Sequence, residues 1–372
     1  MKIESVTAEI LRFDLERPMA DAQIDIGARI IVLVRVRTSS GIEGVGEAGA
    51  FGGAEQTVKT IIETQLAPLL VGEDPRMVEH LWAKMYQGTI QLGRRGAMLA
   101  AISGVDIALW DALGKSLNAP VYMLLGGNAR QMPAYASGGF YMPEKDVAEV
   151  GAEFAGYREL GYRAGKMKVA GADFTEDVAR VRAVREALGP AADLMIDANN
   201  QYGAREAVRF AAAVEDQNIF WFEEPVPTDD LGGARFVRES ITMPVAGYET
   251  ETSRWGFKAL IEAGAVDIVQ ADTVWAGGIS ECRRIAAFAS AWSLPMAPHN
   301  FAGAVSGFAN LHLLASLPGA MFFEMDQNPN PLRTQIVANW PVIDVASRVT
   351  LPEGAGLGME IDEAAVARYR VV

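Results

Sequence analysis

The chain has 372 residues, of which half are hydrophobic and 22% are charged, with a formal net charge of −14 and an isoelectric point near 4.8. This length is too great for one ordinary core and predicts two domains, or one barrel-sized domain with an attachment. The negative charge argues against binding nucleic acid or an anionic membrane, so an anionic substrate would need a local positive centre. The single cysteine, Cys282, excludes an intrachain disulfide and fits a reducing cytosol.

The N-terminal part predicts an α+β unit over residues 1 to about 128. The stretches "KIESVTAEILRF" and "RIIVLVRVRTSSGIEGVGEA" alternate as strands do, with a turn at Ser39 to Gly41, and indicate an antiparallel meander. From Ala54 to about Leu117 the pattern becomes helical. The first residues mix charges with apolar residues, which is not typical of a secretion signal, so we expect a cytoplasmic location.

Beyond residue 128, short apolar runs that end in polar residues alternate with alanine-rich helical segments. The steps between the terminal polar residues are 29, 26, 26, 23, 27 and 25 residues, counted through Lys168, Asp197, Glu223, Glu249, Asp272, His299 and Glu324. One strand, one helix and two loops occupy about this length. With "QMPAYASGG" these strands number eight, which closes a (β/α) barrel whose active site lies at the strand ends. The alternative, an open doubly wound sheet, would need a glycine-rich phosphate turn that is not found.

One segment imitates a membrane span, because residues 301–323 are uncharged over a length that could cross a bilayer. The segment contains Asn310, His312 and Pro318, and its "SLPGA" break is typical of a helix end followed by a strand. We therefore predict a buried helix and strand and no membrane association. His312 and His80 both lie within predicted helices, where a structural role is expected.

Asp197, Glu223 and Glu249 end three consecutive predicted strands, which would lie about 4.8 Å apart. Carboxylates that converge so closely repel one another unless a cation joins them. A ligand set of oxygen atoms alone favours Mg²⁺ over Zn²⁺. The alternative is three separate acids that cap helices or form salt bridges. Glu224 and Glu251 compete for the second and third positions, and the equal steps of 26 residues favour Glu223 and Glu249.

The stretch "RAGKMKV" would place Lys166 and Lys168 side by side on one face of a strand. An exposed edge strand that uses lysine against aggregation is the ordinary explanation. Here, however, the strand belongs to the predicted barrel, and the two cations would lie beside the acidic cluster.

These residues together resemble the enolase superfamily, specifically its mandelate racemase subgroup. The resemblance rests on "KMK" at 166–168, "DAN" at 197–199, "EEP" at 223–225, Glu249, Asp272 and the histidine of "PHN", and it extends to "SGVDIALWDALGK" and "GLGMEID". It implies an α/β fold with a (β/α)₇β modified TIM barrel and an N-terminal α+β capping domain. The implied domains are the cap at 1–128, the barrel at 129–335 and a segment at 336–372 that returns to the cap. One departure is Tyr248, where glycine is usual, and it would narrow the site or shift Glu249.

The resemblance also implies roles by position. Asp197, Glu223 and Glu249 would bind one Mg²⁺ per subunit, and Asn199 would contact the substrate. Lys168 would be one acid/base catalyst with Lys166 beside it, the Asp272 and His299 dyad would be the other, and Glu324 would hydrogen-bond the enediolate. A second ammonium group and the metal would lower the pKa of Lys168, as a base requires. Asp272 can accept the ring N–H of His299 and orient it.

We predict β-elimination on a sugar acid, or on its lactone, because acid-sugar dehydration is the commonest activity in this subgroup and "DQNPNPLRTQI" resembles the tail of aldarolactone cycloisomerases. Racemisation or epimerisation of a 2-hydroxy or amino acid stays open, as does a barrel that binds sugar acids without turnover. "ADTVWAGG" lacks the lysine typical of muconate cycloisomerases and dipeptide epimerases. Specificity is expected from cap loops near residues 19–26 and 47–53, through Gln23, Ile24 and Phe51. The expected assembly is a homo-oligomer, from dimer to octamer, that acts on a small carboxylate.

Overall fold

The structure is a computed structural model, and it describes residues 1–371 apart from the side chain of Phe51. The chain begins with the predicted antiparallel meander. Strands β1 (Ile3–Ala20), β2 (Asp25–Thr38) and β3 (Glu43–Ala48) pair in the order β1-β2-β3. Strands β1 and β2 pair along almost their whole length. Next to the loop that joins them, Ala20 forms a β-bridge with Tyr141.

Helices pack on this sheet to complete the cap. They are α1 (Glu55–Ile61), continued through a π-helical turn at residues 62–66 into α2 (Ala67–Leu70), then α3 (Val78–Thr89), α4 (Ala97–Leu117) and α5 (Val121–Leu124). Helix α4 is long and apolar enough to cross a membrane, but 89% of its most apolar window is buried inside the protein. It lies so close to β3 that a Cβ atom on Gly46 would meet the carbonyl oxygen of Gly104 at 2.0 Å. Helix α4 is therefore the central core helix of the cap.

The second unit alternates strands and helices. Its strands are β4 (Gln131–Gly138), β5 (Ala164–Lys168), β6 (Asp193–Asp197), β7 (Ile219–Glu223), β8 (Val245–Gly247), β9 (Ile268–Val269) and β10 (Phe323–Asp326). Its helices are α6 (Val147–Glu159), α7 (Phe174–Leu188), α8 (Ala204–Ala213), α9 (Leu231–Ser240), α10 (Ser253–Glu262), α11 (Gly278–Ala291) and α12 (Ala304–Ser316).

Parallel pairing runs from β4 through β9, and β10 pairs with β4 on the other side. The ring closes at Met296, which bridges in parallel to Val269 and to Ala320. Counting the Met296 segment, eight strands alternate with seven helices, and the predicted (β/α)₇β barrel is confirmed. Within the segment 301–323, residues 304–316 form the buried helix α12, and the chain then leads into β10, so the predicted buried helix and strand are confirmed.

The remaining chain comprises α13 (Pro331–Thr334), β11 (Arg348–Thr350), which pairs with β4, and α14 (Glu363–Tyr369). The backbone N–H of Val371 donates to the carbonyl of Ile10 at 2.9 Å, so the C-terminal end lies against the cap sheet. His312 links this segment to α5, because Nδ1 accepts from the N–H of Tyr122 at 3.0 Å and Nε2 lies 3.0 Å from the carbonyl oxygen of Leu357. Its role is structural, whereas His80 is exposed on α3.

A small core fills the barrel interior below the strand ends. It consists of Tyr135, Ala164, Met195, Trp221, Ala246, Ile268 and Ala297. Side chains two positions further along a strand share its face, so the residues that follow this layer also point into the barrel. This alternation directs Lys166, Asp197, Glu223 and His299 to one interior space.

Candidate active site

A cavity of about 320 Å³ lies at the carboxyl ends of the barrel strands and is bordered by the cap. The cap contributes Asp21, Gln23, Ile24, Ile26 and Gly52. The barrel contributes Phe140, Lys168, Asn199, Asn200, Glu224, Glu249, Thr250, Trp275, His299 and Phe301. Six predicted site residues therefore line one cavity: Gln23, Ile24, Lys168, Asn199, Glu249 and His299. The side chain of Phe51 lies outside the described residues.

The two lysines of β5 point into the barrel, where Lys166 is 1% exposed and Lys168 is 6% exposed. Lys168 Nζ donates to Asp197 Oδ2 at 2.5 Å. Lys166 Nζ forms a hydrogen bond with Glu223 and lies 3.1 Å from Glu324 Oε1. The explanation by an exposed edge strand is therefore wrong, because the lysines neutralise a buried ring of acids.

The structure bears on only one part of the prediction that Lys166 and the metal lower the pKa of Lys168, namely the effect of Lys166. Burial lowers the pKa of this ammonium group, and Lys166 lowers it further, as predicted. The attraction of Asp197 is larger than the effect of Lys166, and the net pKa of Lys168 is raised above its ordinary value. The sequence predicts the sign of the lysine-lysine interaction, whereas the opposing contact with Asp197 is found only in the structure.

The two adjacent acids at the end of β7, Glu223 and Glu224, lie at different depths in the barrel. Glu223 points into the barrel and accepts hydrogen bonds from Trp221 Nε1 at 3.0 Å and Gln270 Nε2 at 2.7 Å. Glu224 instead lines the cavity and accepts from Asn200 Nδ2 at 2.6 Å. Burial, opposed by Lys166, raises the pKa of Glu223 to about 7, and burial together with Glu249 raises the pKa of Glu224. Both acids thus belong to the site, at different depths.

At the next strand end, Glu249 faces the cavity, whereas Glu251 lies 3.5 Å from Arg95. Glu249 Oε2 is 3.1 Å from His299 Nε2 and is not aligned for a hydrogen bond. Tyr248 is fully buried in the core between the barrel and its helices and is absent from the residues described as lining the cavity. The expectation that Tyr248 narrows the site is therefore wrong.

The donor set fits a hard divalent cation, although the described residues include no group of three or more His, Cys, Asp or Glu side chains already arranged to hold a metal. Asp197 and Glu223 are instead held by Lys168 and Lys166. Two oxygen atoms at the cavity, Glu249 Oε2 and Asn199 Oδ1, are buried and accept no hydrogen bond within the described part of the chain, although Glu249 Oε2 forms an ion pair with His299. Buried oxygens that accept no hydrogen bond are costly, and a cation such as Mg²⁺ would satisfy them.

The predicted dyad is present. His299 Nδ1 lies 2.8 Å from Asp272 Oδ2, and Asp272 Oδ1 accepts from the N–H of Val274 at 3.0 Å and from Asn310 Nδ2 at 3.2 Å. Asn310 also donates to the carbonyl of His299 at 3.1 Å. Burial lowers the pKa of His299, but Glu249 and Asp272 outweigh it and raise this pKa to about 10. The sequence identifies Asn310 only as a polar residue in an apolar helix, because its contact with the dyad depends on the packing of α12.

The side of the cavity away from the acids is apolar. Phe140 and Phe301 stack with ring centroids 5.4 Å apart, and Lys168 Nζ lies 5.0 Å from the centroid of Phe140. The sequence prediction missed both aromatic residues, although Phe301 lies two positions after His299 and Phe140 two positions after the end of β4. Proximity to strand ends was the available signal.

Two family models match the chain: one described as enolase C-terminal domain-like at residues 149–365, and one described as the mandelate racemase / muconate lactonizing enzyme N-terminal domain at residues 5–126. The chain belongs to this family of the enolase superfamily, as the motifs predicted.

Individual relatives match over nearly the full length. Arabinonate dehydratase of Saccharolobus solfataricus is 40% identical over 340 residues, which cover 91% of this chain and 90% of the relative. D-galactarolactone cycloisomerase of Agrobacterium fabrum is 37% identical over 381 residues, which cover 100% of this chain and 99% of that relative. The crystal structure of a racemase from Streptomyces coelicolor A3(2) with bound magnesium has a TM-score of 0.90 and 31% identity, covering 99% of this chain and 100% of that chain.

Proposed function

We propose that the protein removes the proton α to a carboxylate in a Mg²⁺-dependent reaction and then eliminates a β-oxygen. The substrate is a sugar acid, which would be dehydrated, or its lactone, which would be opened. The observation that carries this proposal is that Lys168 and the Asp272 and His299 dyad reach one cavity from separate strands, beside buried carboxylates. The names of the two curated relatives, a dehydratase and a lactone cycloisomerase, support it.

In this proposal Asp197, Glu223 and Glu249 would hold one Mg²⁺ per subunit. When bound, the ion supplies positive charge that stabilises the dianionic enediolate. The same three carboxylates are those now contacted by Lys168, Lys166 and His299, so the basic side chains and the cation compete for the same oxygens.

In this proposal, protein side chains carry out the proton transfers. The neighbouring carboxylates raise the pKa values of both Lys168 and His299, so one of the two would become a free base when those carboxylates hold the cation. That side chain would accept the α-proton, the electrons of the C–H bond would form the enediolate, and the C–O bond at the β-carbon would break as the opposite side supplies a proton to the departing oxygen. Asp272 holds the Nδ1 side of His299 and leaves Nε2 directed at the cavity. Lys166 lies in contact with Glu324 beneath, where the ammonium group would support the negative charge on the substrate. Glu324 would hydrogen-bond the enediolate when its carboxyl group carries a proton.

The test is a screen of acid sugars and aldarolactones with Mg²⁺ in D₂O, followed by NMR for deuterium incorporation and for keto-acid or ring-opened products. We expect elimination products with at least one substrate, and loss of turnover on dialysis against a chelator with recovery on adding Mg²⁺. Exchange without elimination would favour a racemase. Neither exchange nor product would favour a binding barrel, and full turnover after exhaustive chelation would contradict the metal assignment.

A further inference from the structure

We propose that Glu47, a residue of the cap, is a positioning residue for the acid/base groups of the barrel. Glu47 lies in β3, is fully buried, and is not among the described residues that line the cavity. It would act through α12, the helix that carries Asn310. This inference rests on the proposed function, because the groups that it concerns are those to which we assign the proton transfers.

Helix α12 begins without a capping side chain of its own. Its N-cap residue is Gly303, and its first turn contains no acidic residue. The carboxylate of Glu47 supplies the missing acceptors, since Oε1 accepts from the N–H of Gly303 at 2.6 Å and Oε2 accepts from the N–H of Ser306 at 3.1 Å. Ser306 is the third helical residue, whose N–H an N-cap side chain normally satisfies, and the helix dipole favours negative charge at this end. A residue of the cap sheet thus replaces the local N-cap side chain.

Glycine at position 303 makes this contact possible. A Cβ atom there would lie 2.8 Å from Glu47 Oε2 and 3.0 Å from Glu47 Oε1. The φ and ψ angles of Gly303, −90° and −164°, are extended and open to other residues. The glycine therefore serves the close approach of the carboxylate and not an unusual backbone conformation.

The first turn of α12 leads to the site through Ser306. Its hydroxyl donates to Asn300 Oδ1 at 3.2 Å. Asn300 in turn holds Glu324, because its backbone N–H donates to Glu324 Oε2 at 2.9 Å and its Nδ2 donates to the carbonyl of Glu324 at 3.0 Å. The residue that follows His299 in the chain thus joins the start of α12 to the end region of β10.

One turn further along α12, Asn310 contacts the dyad. Its Nδ2 donates to Asp272 Oδ1 at 3.2 Å and to the carbonyl of His299 at 3.1 Å. The position of Asn310 depends on where α12 lies, and Glu47 holds the first turn of this helix. Because a displacement of about 1 Å can cost about 100-fold in rate, we expect loss of the Glu47 carboxylate to reduce kcat.

The first test is Glu47→Gln, in which one oxygen acceptor becomes a nitrogen donor. The variant keeps one of the two backbone contacts, whereas its amide nitrogen cannot accept from the second N–H. Burial raises the pKa of Glu47 to about 7, so kinetics are compared at about pH 8.5, where the carboxylate is ionised. We expect kcat to fall by about 10-fold, with KM and the Mg²⁺ dissociation constant within about 2-fold of wild type.

Asp111→Asn is the matched control. Asp111 is a second buried carboxylate of the cap, and it accepts from the backbone N–H groups of Val45 and Leu357, each at 2.8 Å. Its partners belong to the cap and the C-terminal segment, so this variant should lose stability and keep kcat within about 2-fold of wild type. A wild-type kcat in Glu47→Gln, or equal losses of kcat in the two variants, would overturn the inference.

A rescue experiment tests the route through α12. In Glu47→Ala the carboxylate is absent, which leaves room for a Cβ atom at position 303, and a second change, Gly303→Ser, then supplies a local N-cap hydroxyl. We expect Glu47→Ala to lose kcat and the double variant to recover most of that loss. A double variant that recovers nothing would contradict the inference, because Glu47 would then not act through the first turn of this helix.

A measurement that needs no turnover separates this inference from the proposed function. NMR of protein with isotope-labelled histidine reports the Nδ1–H of His299 in its hydrogen bond to Asp272, and His299→Asn identifies the signal. We expect this signal to move upfield in Glu47→Gln. If wild type turns over no acid sugar or lactone but the signal moves, the proposed function fails and the positioning of His299 stands. An unchanged signal overturns the inference whatever the activity.

Discussion

Acid should destabilise the protein through His312, a buried histidine outside the active site. Burial lowers the pKa of His312 from 6.5 to about 4. In the folded protein Nδ1 must stay unprotonated to accept from Tyr122, whereas the unfolded chain binds a proton near pH 6.5. The contribution of the neutral His312 to the free energy of unfolding is therefore complete above pH 6.5. It is lost as the pH falls from 6.5 through about 4, the pKa of His312 in the folded protein.

The two pKa values give the size of the effect. The linkage relation predicts a loss of about 2 kcal/mol in the free energy of unfolding between pH 7 and pH 5, and of about 3 kcal/mol by pH 4. Other groups titrate in this range, so the useful quantity is the difference between wild type and His312→Gln, which cannot titrate at that position. Denaturant unfolding at pH 7, 6 and 5 measures it.

We expect His312→Gln to be less stable than wild type at pH 7 and to lose about 2 kcal/mol less than wild type on acidification to pH 5. His80→Gln, at an exposed histidine, is the matched control and should follow wild type. Parallel pH dependences for wild type and His312→Gln would refute the reasoning, because they would show that the buried imidazole is not linked to unfolding in this range.

Three further predictions concern the site and the cap. Lys168→Ala and His299→Asn should each reduce turnover by about 10³-fold or more while Mg²⁺ binding by calorimetry survives, and wild-type rates would refute their roles. Asn310→Leu removes the amide that holds the dyad, so kcat should fall by about 10-fold or more with little change in KM; an unchanged kcat would show that packing alone orients His299. Gly46→Ala should destabilise the cap by about 3 kcal/mol in thermal unfolding, because its Cβ would meet a carbonyl of α4 at 2.0 Å, whereas Gly27→Ala has nothing within 4 Å and should not.

Much of the fold could be predicted because its signals are local and repeated. Each strand and helix of the barrel has its own periodicity, and the near-constant step between Asp197, Glu223 and Glu249 marks equivalent ends of successive strands. The same alternation correctly placed Lys166 and Lys168 on one interior face. The pairing of His299 with Asp272 also followed from their positions on neighbouring strands.

The balance of interactions within the site could not be predicted, because it depends on distances between side chains from different strands. Whether Lys166 or Asp197 dominates the pKa of Lys168 is decided by a 2.5 Å contact that has no counterpart in sequence spacing. The position of Tyr248 in the outer core likewise depends on the local backbone path, which overrides simple alternation at the end of β8.

By itself, the sequence determined the order of the elements, the family and the acids and bases that we propose for the chemistry, because each follows from local periodicity and residue type. Only the tertiary structure decided which side chains share the cavity. Phe140, Phe301 and Asp21 come from three separate parts of the chain and meet because the cap loop packs over the barrel mouth. Contacts between distant segments leave no periodic signal in the sequence. The shape and charge of the cavity lining are therefore decided only by folding.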